Sequence, residues 1–169
     1  FIPSAAEAGH SDWAARTDRE ILLLRSLTER FGRAEVEHVL SGPGLTNIHR
    51  VTHDGDCLAV DDIEAADAPA AISAAALTRR CQGCIDALQM FVDAYGAQAG
   101  NLALRTMATG GLFIGGGIAP KILPRLQDGR FMRAFLDKGR FGALLEQVPV
   151  AVILNAEAGL VGAAVAAAA

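Results

Sequence analysis

The chain has 169 residues, which suits one domain with a substantial core, and alanine accounts for much of its 51% hydrophobic content. Its net charge of -4, with no run of Lys or Arg, argues against a nucleic-acid-binding surface. The alanine-rich tail after Gly159 is shorter than the ~20 apolar residues of a membrane helix, and three cysteines make no disulfide framework, so we expect a reducing cytoplasm.

The start of the chain indicates a fragment. It begins at Phe1 rather than at a methionine, and Phe1-Ile2-Pro3 looks like the end of a strand. We therefore expect that a front part of a longer protein is missing, and such a start would hide any signal peptide.

The first predicted helix begins at a capping box. Thr17 is the expected N-cap, Glu20 is expected to reach back, and Gly32 ends the helix. The spacing predicts one buried stripe formed by Ile21, Leu24, Leu27 and Phe31.

Two further helices are predicted before the middle of the chain. Residues 35–40 read as a strand or a short helical turn. Residues 41–44 then read as a turn into a helix that Ser41 could cap, with Leu45, Ile48 and His49 near i, i+3, i+4 spacing. A second helix begins near Pro69.

A long helical region runs from about Thr78 towards Met107. Gly96 and Gly100 interrupt it, and they either kink the helix or let another helix approach closely.

The stretch from Asn101 to Pro120 is rich in glycine. Leu112 to Ile114 is an apolar run bounded by glycines, which favours a short buried strand. Gly115, Gly116 and Gly117 follow it and lead to Pro120, which suits the first turn of a helix. Ligands bind beyond the carboxyl ends of strands in open α/β sheets, so this turn is a candidate nucleotide site. Tight strand-to-helix packing without a ligand explains the glycines equally well.

The last third alternates short helices with a second strand. Residues 121–147 read as short helices, Val148 to Leu154 as a buried strand, and Leu160 to Ala168 as a helix of small residues. The order β-α-β-α predicts an α/β domain with a partly parallel sheet.

Three polar side chains are candidates for binding a polyhydroxylated ligand. Glu7 and His10 are separated by Ala8-Gly9 and can turn towards one point, and Glu37 precedes a glycine turn. A solvated loop and an exposed glutamate are the plainer alternatives.

The pair Cys81-x-x-Cys84 has the spacing of a metal or redox motif. A zinc site needs four ligands, and this stretch offers two, so we expect structural packing of the thiols and no metal. The sequence contains neither a P-loop nor the G-x-G-x-x-G order of a dinucleotide fold.

Taken together, these stretches resemble the C-terminal large domain of bacterial glucokinases, in the hexokinase and actin-like ATPase superfamily. The resemblance extends over most of the chain, in one order and at family-like spacing. It rests on Glu7-Ala8-Gly9-His10-x-Asp12, on Glu37 to Leu45, on Cys81-x-x-Cys84, on Gly100 to Leu104, on Gly110 to Pro120 and on Asp137 to Phe141.

The resemblance implies a function and a fold. The whole protein would use ATP to phosphorylate glucose to glucose 6-phosphate, and Mg2+ would be carried by the nucleotide. Residues 1–169 would be the C-terminal large domain, a ribonuclease-H-like (actin-like ATPase) α/β fold with a mixed sheet and flanking helices. The N-terminal small domain would be absent, and the final helix would cross to it.

The resemblance also implies roles for individual residues. Glu7, His10 and Glu37 would bind sugar hydroxyls, and Gly110 with Gly115, Gly116 and Gly117 would line the nucleotide. The general base would lie before this chain, so no catalytic residue is expected here. The chain alone should be inactive, and the intact protein would be a homodimer that needs neither nucleic acid nor membrane.

Two departures from the family pattern matter. The family usually has two glycines between the glutamate and the histidine, and Ala8 would strain the loop if its position requires a positive φ. The related repressor and kinase group carries a cysteine-rich zinc motif that is absent here, which again predicts no structural zinc. A non-catalytic sugar sensor of the same fold and a helical partner-binding domain remain alternatives.

Overall fold

The computed structural model describes residues 4–55 and 57–168, so the predicted strand end at Phe1-Ile2-Pro3 lies outside the described residues. The described residues divide into two compact units, one within residues 7–95 and the other formed by residues 96–168 with residues 4–6. The helices are α1 Asp18–Phe31, α2 Gly42–Thr52, α3 Ala68–Leu77, α4 Gln82–Thr106, α5 Leu123–Leu126, α6 Arg130–Leu136, α7 Gly142–Leu145 and α8 Ala158–Ala167. The strands are β1 Leu112–Ile114 and β2 Val150–Val152, and short 3-10 helices span Ala8–His10, Ala119–Ile122 and Gly139–Phe141.

Helix α1 has the predicted ends but a different buried face. The Thr17 hydroxyl accepts a hydrogen bond from the Glu20 backbone N–H, and Gly32 closes the helix with φ +81°. The Glu20 carboxylate reaches back one residue further than a capping box requires, to the backbone N–H of Arg16 at 2.6 Å.

The predicted stripe of α1 is half wrong. Ile21 and Phe31 are 39% and 42% exposed, whereas Leu23 and Leu27 are buried. Four consecutive apolar residues at 21–24 offer two overlapping stripes, and the packing of the unit selects the one through Leu23.

Helices α2 and α3 follow the sequence signals closely. The Ser41 hydroxyl accepts from the Gly44 backbone N–H at 2.9 Å, and Leu45, Ile48 and His49, which share the predicted helical spacing, are all buried. Helix α3 begins at Ala68, beside Pro69. The core of this unit is formed by fully buried apolar side chains, among them Leu23, Val39, Ile48, Ile72, Leu88 and Phe91.

In the second unit, the glycines of α4 permit close approach of another helix. A Cβ atom on Gly96 would collide with the carbonyl oxygen of Phe131, and one on Gly100 would collide with that of Phe135. Both carbonyls belong to α6, so the glycines let α6 lie directly against the backbone of α4. Of the two explanations offered for Gly96 and Gly100, the structure therefore supports close approach of another helix and not a kink.

The two described strands form a parallel pair. Leu112, Phe113 and Ile114 lie opposite Val150, Ala151 and Val152, which confirms an α/β fold with a small parallel sheet. Leu112 and Ile114 are buried, and Phe113 on the opposite face is 69% exposed. No antiparallel strand joins this pair within the described residues, so the mixed sheet stays a prediction.

The last helix lies on the surface of its unit. None of the residues described in α8 is buried, and Leu160, Val161 and Val165 are more than half exposed. Across residues 4–55 and 57–168, the structure contains no helix with both the length and the apolar character required to cross a membrane.

Candidate functional site

Backbone pairing within the first unit brings Glu7, His10 and Glu37 together. The Val36 N–H donates to the Ser11 carbonyl at 3.0 Å, and the Glu37 N–H donates to the Gly9 carbonyl at 2.8 Å. These bonds hold residues 9–13 against residues 34–37 in an antiparallel arrangement, with a bridge between Asp12 and Glu35. Two segments separated by the whole of α1 therefore form one surface.

His10 makes a contact that the sequence analysis missed. Its Nδ1 atom lies 2.8 Å from the Glu35 carboxylate, and its side chain is 64% exposed. This hydrogen bond and the charge of Glu35 raise the pKa of His10 above its ordinary value, and the nearby charges of Glu7 and Glu37 act in the same direction. We call Glu7, His10, Glu35 and Glu37 the acid–imidazole cluster.

The sequence contains a weak signal that Glu35 lies on the same side of the chain as Glu37. Glu35 and Glu37 flank the buried Val36, and alternate residues of an extended segment point to the same side. The bond from His10 and the guanidinium of Arg33 lower the pKa of the Glu35 carboxyl, so it stays ionised.

Arg33 holds the two segments of the cluster together. Its Nη2 atom donates to the His10 carbonyl at 2.7 Å and to the Asp12 carboxylate at 3.0 Å, while its Nη1 atom lies 3.4 Å from Glu35. A planar guanidinium with several donors suits this bridging position.

The carboxylates of Glu7 and Glu37 are exposed and accept no hydrogen bond within the part of the chain that the structure describes. Each therefore retains its capacity to accept from hydroxyl groups. A Cβ atom on Gly9 would lie 3.2 Å from Oε2 of Glu37, so glycine makes room for that carboxylate. Ala8 lies in the 3-10 helix and has no positive φ, so its position causes none of the expected backbone strain.

The second predicted site, the glycine turn Gly115–Gly117, follows β1 directly. Gly116 has φ +97°, which an L side chain rarely adopts. A Cβ atom on Gly116 or Gly117 would meet no atom within 4 Å, and one on Gly115 would meet only the end of Ile153. In the described structure, tight packing therefore does not explain why glycine occupies these three positions.

Gly110 lies on the other side of β1. It is exposed, and a Cβ atom there would also have no neighbour within 4 Å among the described atoms. Gly111, next to it, has φ +123°, and its missing side chain leaves room for the Pro149 carbonyl. The conformation of the turn before β1 thus requires glycine at position 111, whereas Gly110 faces open space.

A comparison with protein families identifies the chain. The family model described as glucokinase matches residues 1–169, the whole of the sequence. The chain belongs to the glucokinase family. The resemblance drawn from the motifs is thereby confirmed.

Curated glucokinases give the same result and show how much of a family member is present. The chain is 42% identical to a glucokinase of Nostoc punctiforme, over 96% of this chain and 53% of that protein. It is 38% identical to a glucokinase of Photorhabdus laumondii, over 96% of this chain and 49% of that protein. The chain therefore spans about half the length of the curated glucokinases that it matches.

A solved structure supports the fold. A crystal structure of glucokinase from an Antarctic psychrotroph matches with a TM-score of 0.81 and 35% identity, over 96% of this chain and 49% of that one. The described fold is thus similar to part of a glucokinase structure.

Proposed function

We propose that the intact protein transfers the γ-phosphoryl group of ATP to glucose, and that this chain supplies part of the sugar site and the wall against adenosine. The acid–imidazole cluster carries the proposal. The carboxylates of Glu7 and Glu37 accept no hydrogen bond from the described residues, and Glu35 fixes an exposed imidazole beside them. Backbone pairing brings these groups to one surface. Charged acceptors of this kind form strong hydrogen bonds with sugar hydroxyls.

In the proposed reaction, the oxygen of a sugar hydroxyl bonds to the γ-phosphorus while the bond from that phosphorus to the leaving ADP oxygen breaks. Phosphoryl transfer of this kind depends chiefly on positioning and on stabilising charge. Glu7, His10 and Glu37 would position the sugar. The hydroxyl proton would pass to a base outside these residues, since none of them is assigned as catalytic.

ATP is proposed to lie along the glycine turn, with Gly110 nearby. Support comes from the space above Gly116 and Gly117, where a bare backbone permits close approach of a ligand. Mg2+ would arrive with the nucleotide, and its charge would help to neutralise the charge that develops during phosphoryl transfer. We assign no side chain of the chain as a metal ligand for the nucleotide.

The finer description of the fold belongs to the same proposal. The parallel pair β1 and β2, with helices between them, is compatible with the ribonuclease-H-like fold of actin-like ATPases. Residues 1–169 would then be the C-terminal large domain, and the exposed apolar face of α8 would meet the small domain. The homodimer and a cytoplasmic location stay predictions.

The experiment measures glucose 6-phosphate formation by the intact gene product that contains this chain, with glucose and MgATP. We expect turnover by the intact protein and none by the 169-residue chain alone. Glucose binding without turnover in the intact protein would replace the kinase proposal with a sugar sensor. Failure of the intact protein to bind either glucose or ATP would overturn both and favour a partner-binding domain.

A further inference from the structure

The first unit contains a second group of reactive side chains, which the proposed phosphoryl transfer does not use. It comprises His49 on α2, His53 directly after α2, Cys57 in the following loop, Cys81 just before α4 and Cys84 in its first turn. We call these five residues the thiol–imidazole cluster. The sequence analysis counted only the two cysteines of one stretch, because Cys57 and the histidines lie 24 or more residues away from Cys81.

The sulfur atoms have the spacing of a metal site. The Cys57 sulfur lies 3.6 Å from that of Cys81 and 3.7 Å from that of Cys84. A disulfide requires about 2.05 Å, so these thiols are not bonded to one another. A tetrahedral zinc ion with Zn–S bonds of about 2.3 Å separates its sulfur ligands by about 3.8 Å. The two distances from the Cys57 sulfur both match the edge of that tetrahedron.

Two imidazoles flank the sulfur atoms. The ligand atoms of His49, Cys57 and Cys84 lie within 4.8 Å of one another, as do those of His53, Cys57 and Cys81. The rings of His49 and His53 are stacked with centroids 4.9 Å apart, as expected for residues four apart at the end of a helix. Cys57 belongs to both sets and is therefore central.

His49 provides an independent indication of a ligand. Its side chain is buried, at 4% exposure, and its Nε2 atom has no hydrogen-bond partner among the described residues. A buried polar atom without a partner costs stability, so such an atom calls for an explanation.

His53 is held in an orientation typical of a metal ligand. Its Nδ1 atom lies 3.2 Å from the carbonyl oxygen of Gly55, which leaves Nε2 available, and metal-binding histidines commonly make such a bond with their other nitrogen. Gly83, between Cys81 and Cys84, makes room for the ring, since a Cβ atom there would collide with it.

The scaffold around the cluster holds its parts in place. The Thr52 hydroxyl donates to the Gly83 carbonyl at 3.1 Å, and the Cys84 backbone N–H contacts the Cys81 sulfur at 3.5 Å. A cavity of about 690 Å³, lined by His49, His53 and Cys57 among others, gives an ion access to the cluster.

From this geometry we propose that Cys57, Cys81 and Cys84, with one imidazole of the His49–His53 pair, bind a structural zinc ion. Three cysteines and a histidine form one of the established ligand sets of structural zinc, and a neutral imidazole completes a four-coordinate site. The three thiols release their protons to solvent as the ion binds. The ion ties the loop at Cys57 to the start of α4, and this assignment replaces the expectation of no metal.

The first experiment measures metal content by plasma mass spectrometry. The intact gene product is purified through a tag without histidines, in the absence of chelators. We expect about one zinc ion per chain in the unaltered protein and in His38→Gln, which changes a histidine outside the cluster, and loss of that zinc in Cys57→Ser. Equal zinc in Cys57→Ser and the unaltered protein would overturn the assignment, as would a protein that takes up no zinc when Zn2+ is added.

A second measurement does not depend on a variant that folds. In the unaltered protein, zinc should protect the three thiols from a thiol reagent, and a chelator should expose them together. Thiols that react equally with and without chelator, or a disulfide between Cys57 and Cys81 found by mass spectrometry under reducing purification, would overturn the proposal.

Cobalt substitution and the two histidine variants define the ligand set. Co2+ should give the intense visible bands of a tetrahedral site together with near-ultraviolet thiolate charge-transfer absorption, which Cys81→Ser should weaken. Weak octahedral-type bands would contradict a tetrahedral thiolate site. Of His49→Gln and His53→Gln, the variant that loses at least about tenfold in zinc affinity identifies the fourth ligand. Full zinc affinity in both would overturn the role of the imidazoles.

Discussion

The acid–imidazole cluster and the glycine turn differ in what each would offer to its proposed ligand. In the cluster, side chains provide the chemistry, and backbone bonds between residues 9–13 and 34–37 bring them together. In the glycine turn, the missing side chains at Gly116 and Gly117 leave space in front of the backbone. The first region should therefore be sensitive to loss of a functional group, and the second to gain of an atom.

The largest effect is expected from removing a charge in the cluster. Glu37→Gln keeps the size of the side chain but would weaken the proposed hydrogen bonds to sugar hydroxyls, and a hydrogen bond to a charged group contributes about 1.5–3 kcal/mol. We expect kcat/KM for glucose to fall by about 10- to 100-fold in the intact protein, while KM for ATP is unchanged.

The matched control for this change is Glu29→Gln, which alters an exposed glutamate on α1, outside the cluster. It should leave both constants unchanged. Steady-state kinetics with each substrate varied in turn checks both variants. An equal loss for glucose and ATP in Glu37→Gln would mean that the residue does not act on the sugar alone.

A smaller effect is expected from adding a methyl group to the glycine turn. Gly117 does not have a positive φ, and a Cβ atom there meets nothing within 4 Å, so Gly117→Ala should leave thermal stability unchanged. If adenosine lies against this backbone, the methyl group should raise KM for ATP by roughly three- to tenfold and leave KM for glucose unchanged.

Gly32→Ala provides the opposite pattern as a control. Gly32 has φ +81° and lies at the end of α1, so alanine there should destabilise the protein by about 1 kcal/mol without changing KM for ATP. Thermal unfolding and kinetics on both variants separate strain from loss of nucleotide contact. An unchanged KM for ATP in Gly117→Ala would remove the main support for the adenosine wall.

The sequence predicted helix ends well because their signals are local. Thr17, Ser41 and Gly32 perform the capping functions expected of them, since a cap involves atoms within three or four residues. The buried face of α1 was less predictable. Leu22, Leu23 and Leu24 are adjacent and equally apolar, so the choice among them depends on packing against neighbours distant in sequence.

The two clusters show the same limit more strongly. Glu7, His10 and Glu37 were predicted as ligands through a family resemblance, but the bond between His10 and Glu35 joins residues 25 apart and has no local signature. Cys57 likewise meets Cys81 across 24 residues through a loop without regular structure. The spacings His49-x-x-x-His53 and Cys81-x-x-Cys84 were visible separately, and only their convergence in space indicates a metal site.

The smallest effect concerns the proton on His10. Glu35→Gln should lower the pKa of His10 towards its ordinary value of 6.5, because Glu35 provides both the hydrogen bond and the largest nearby charge. The charges of Glu7 and Glu37 remain in this variant and keep the pKa of His10 partly raised. Arg33 contacts the backbone carbonyl of His10 and not its ring. Titration of the His10 ring protons by NMR measures the change.

The same pair gives stability a defined dependence on pH. The folded pKa of His10 is raised, so its contribution is complete below 6.5 and is lost as the pH rises through the folded value. The folded pKa of Glu35 is lowered, so its contribution is complete above 4.5 and is lost as the pH falls through the folded value. Glu35→Gln should therefore cost most stability between pH 4.5 and 6.5, and the cost should fall as the pH rises through the raised pKa of His10. An equal loss of stability at pH 5.5 and pH 9 would assign Glu35 a packing role instead of an ionic one, and another group would then have to hold the imidazole beside Glu7 and Glu37.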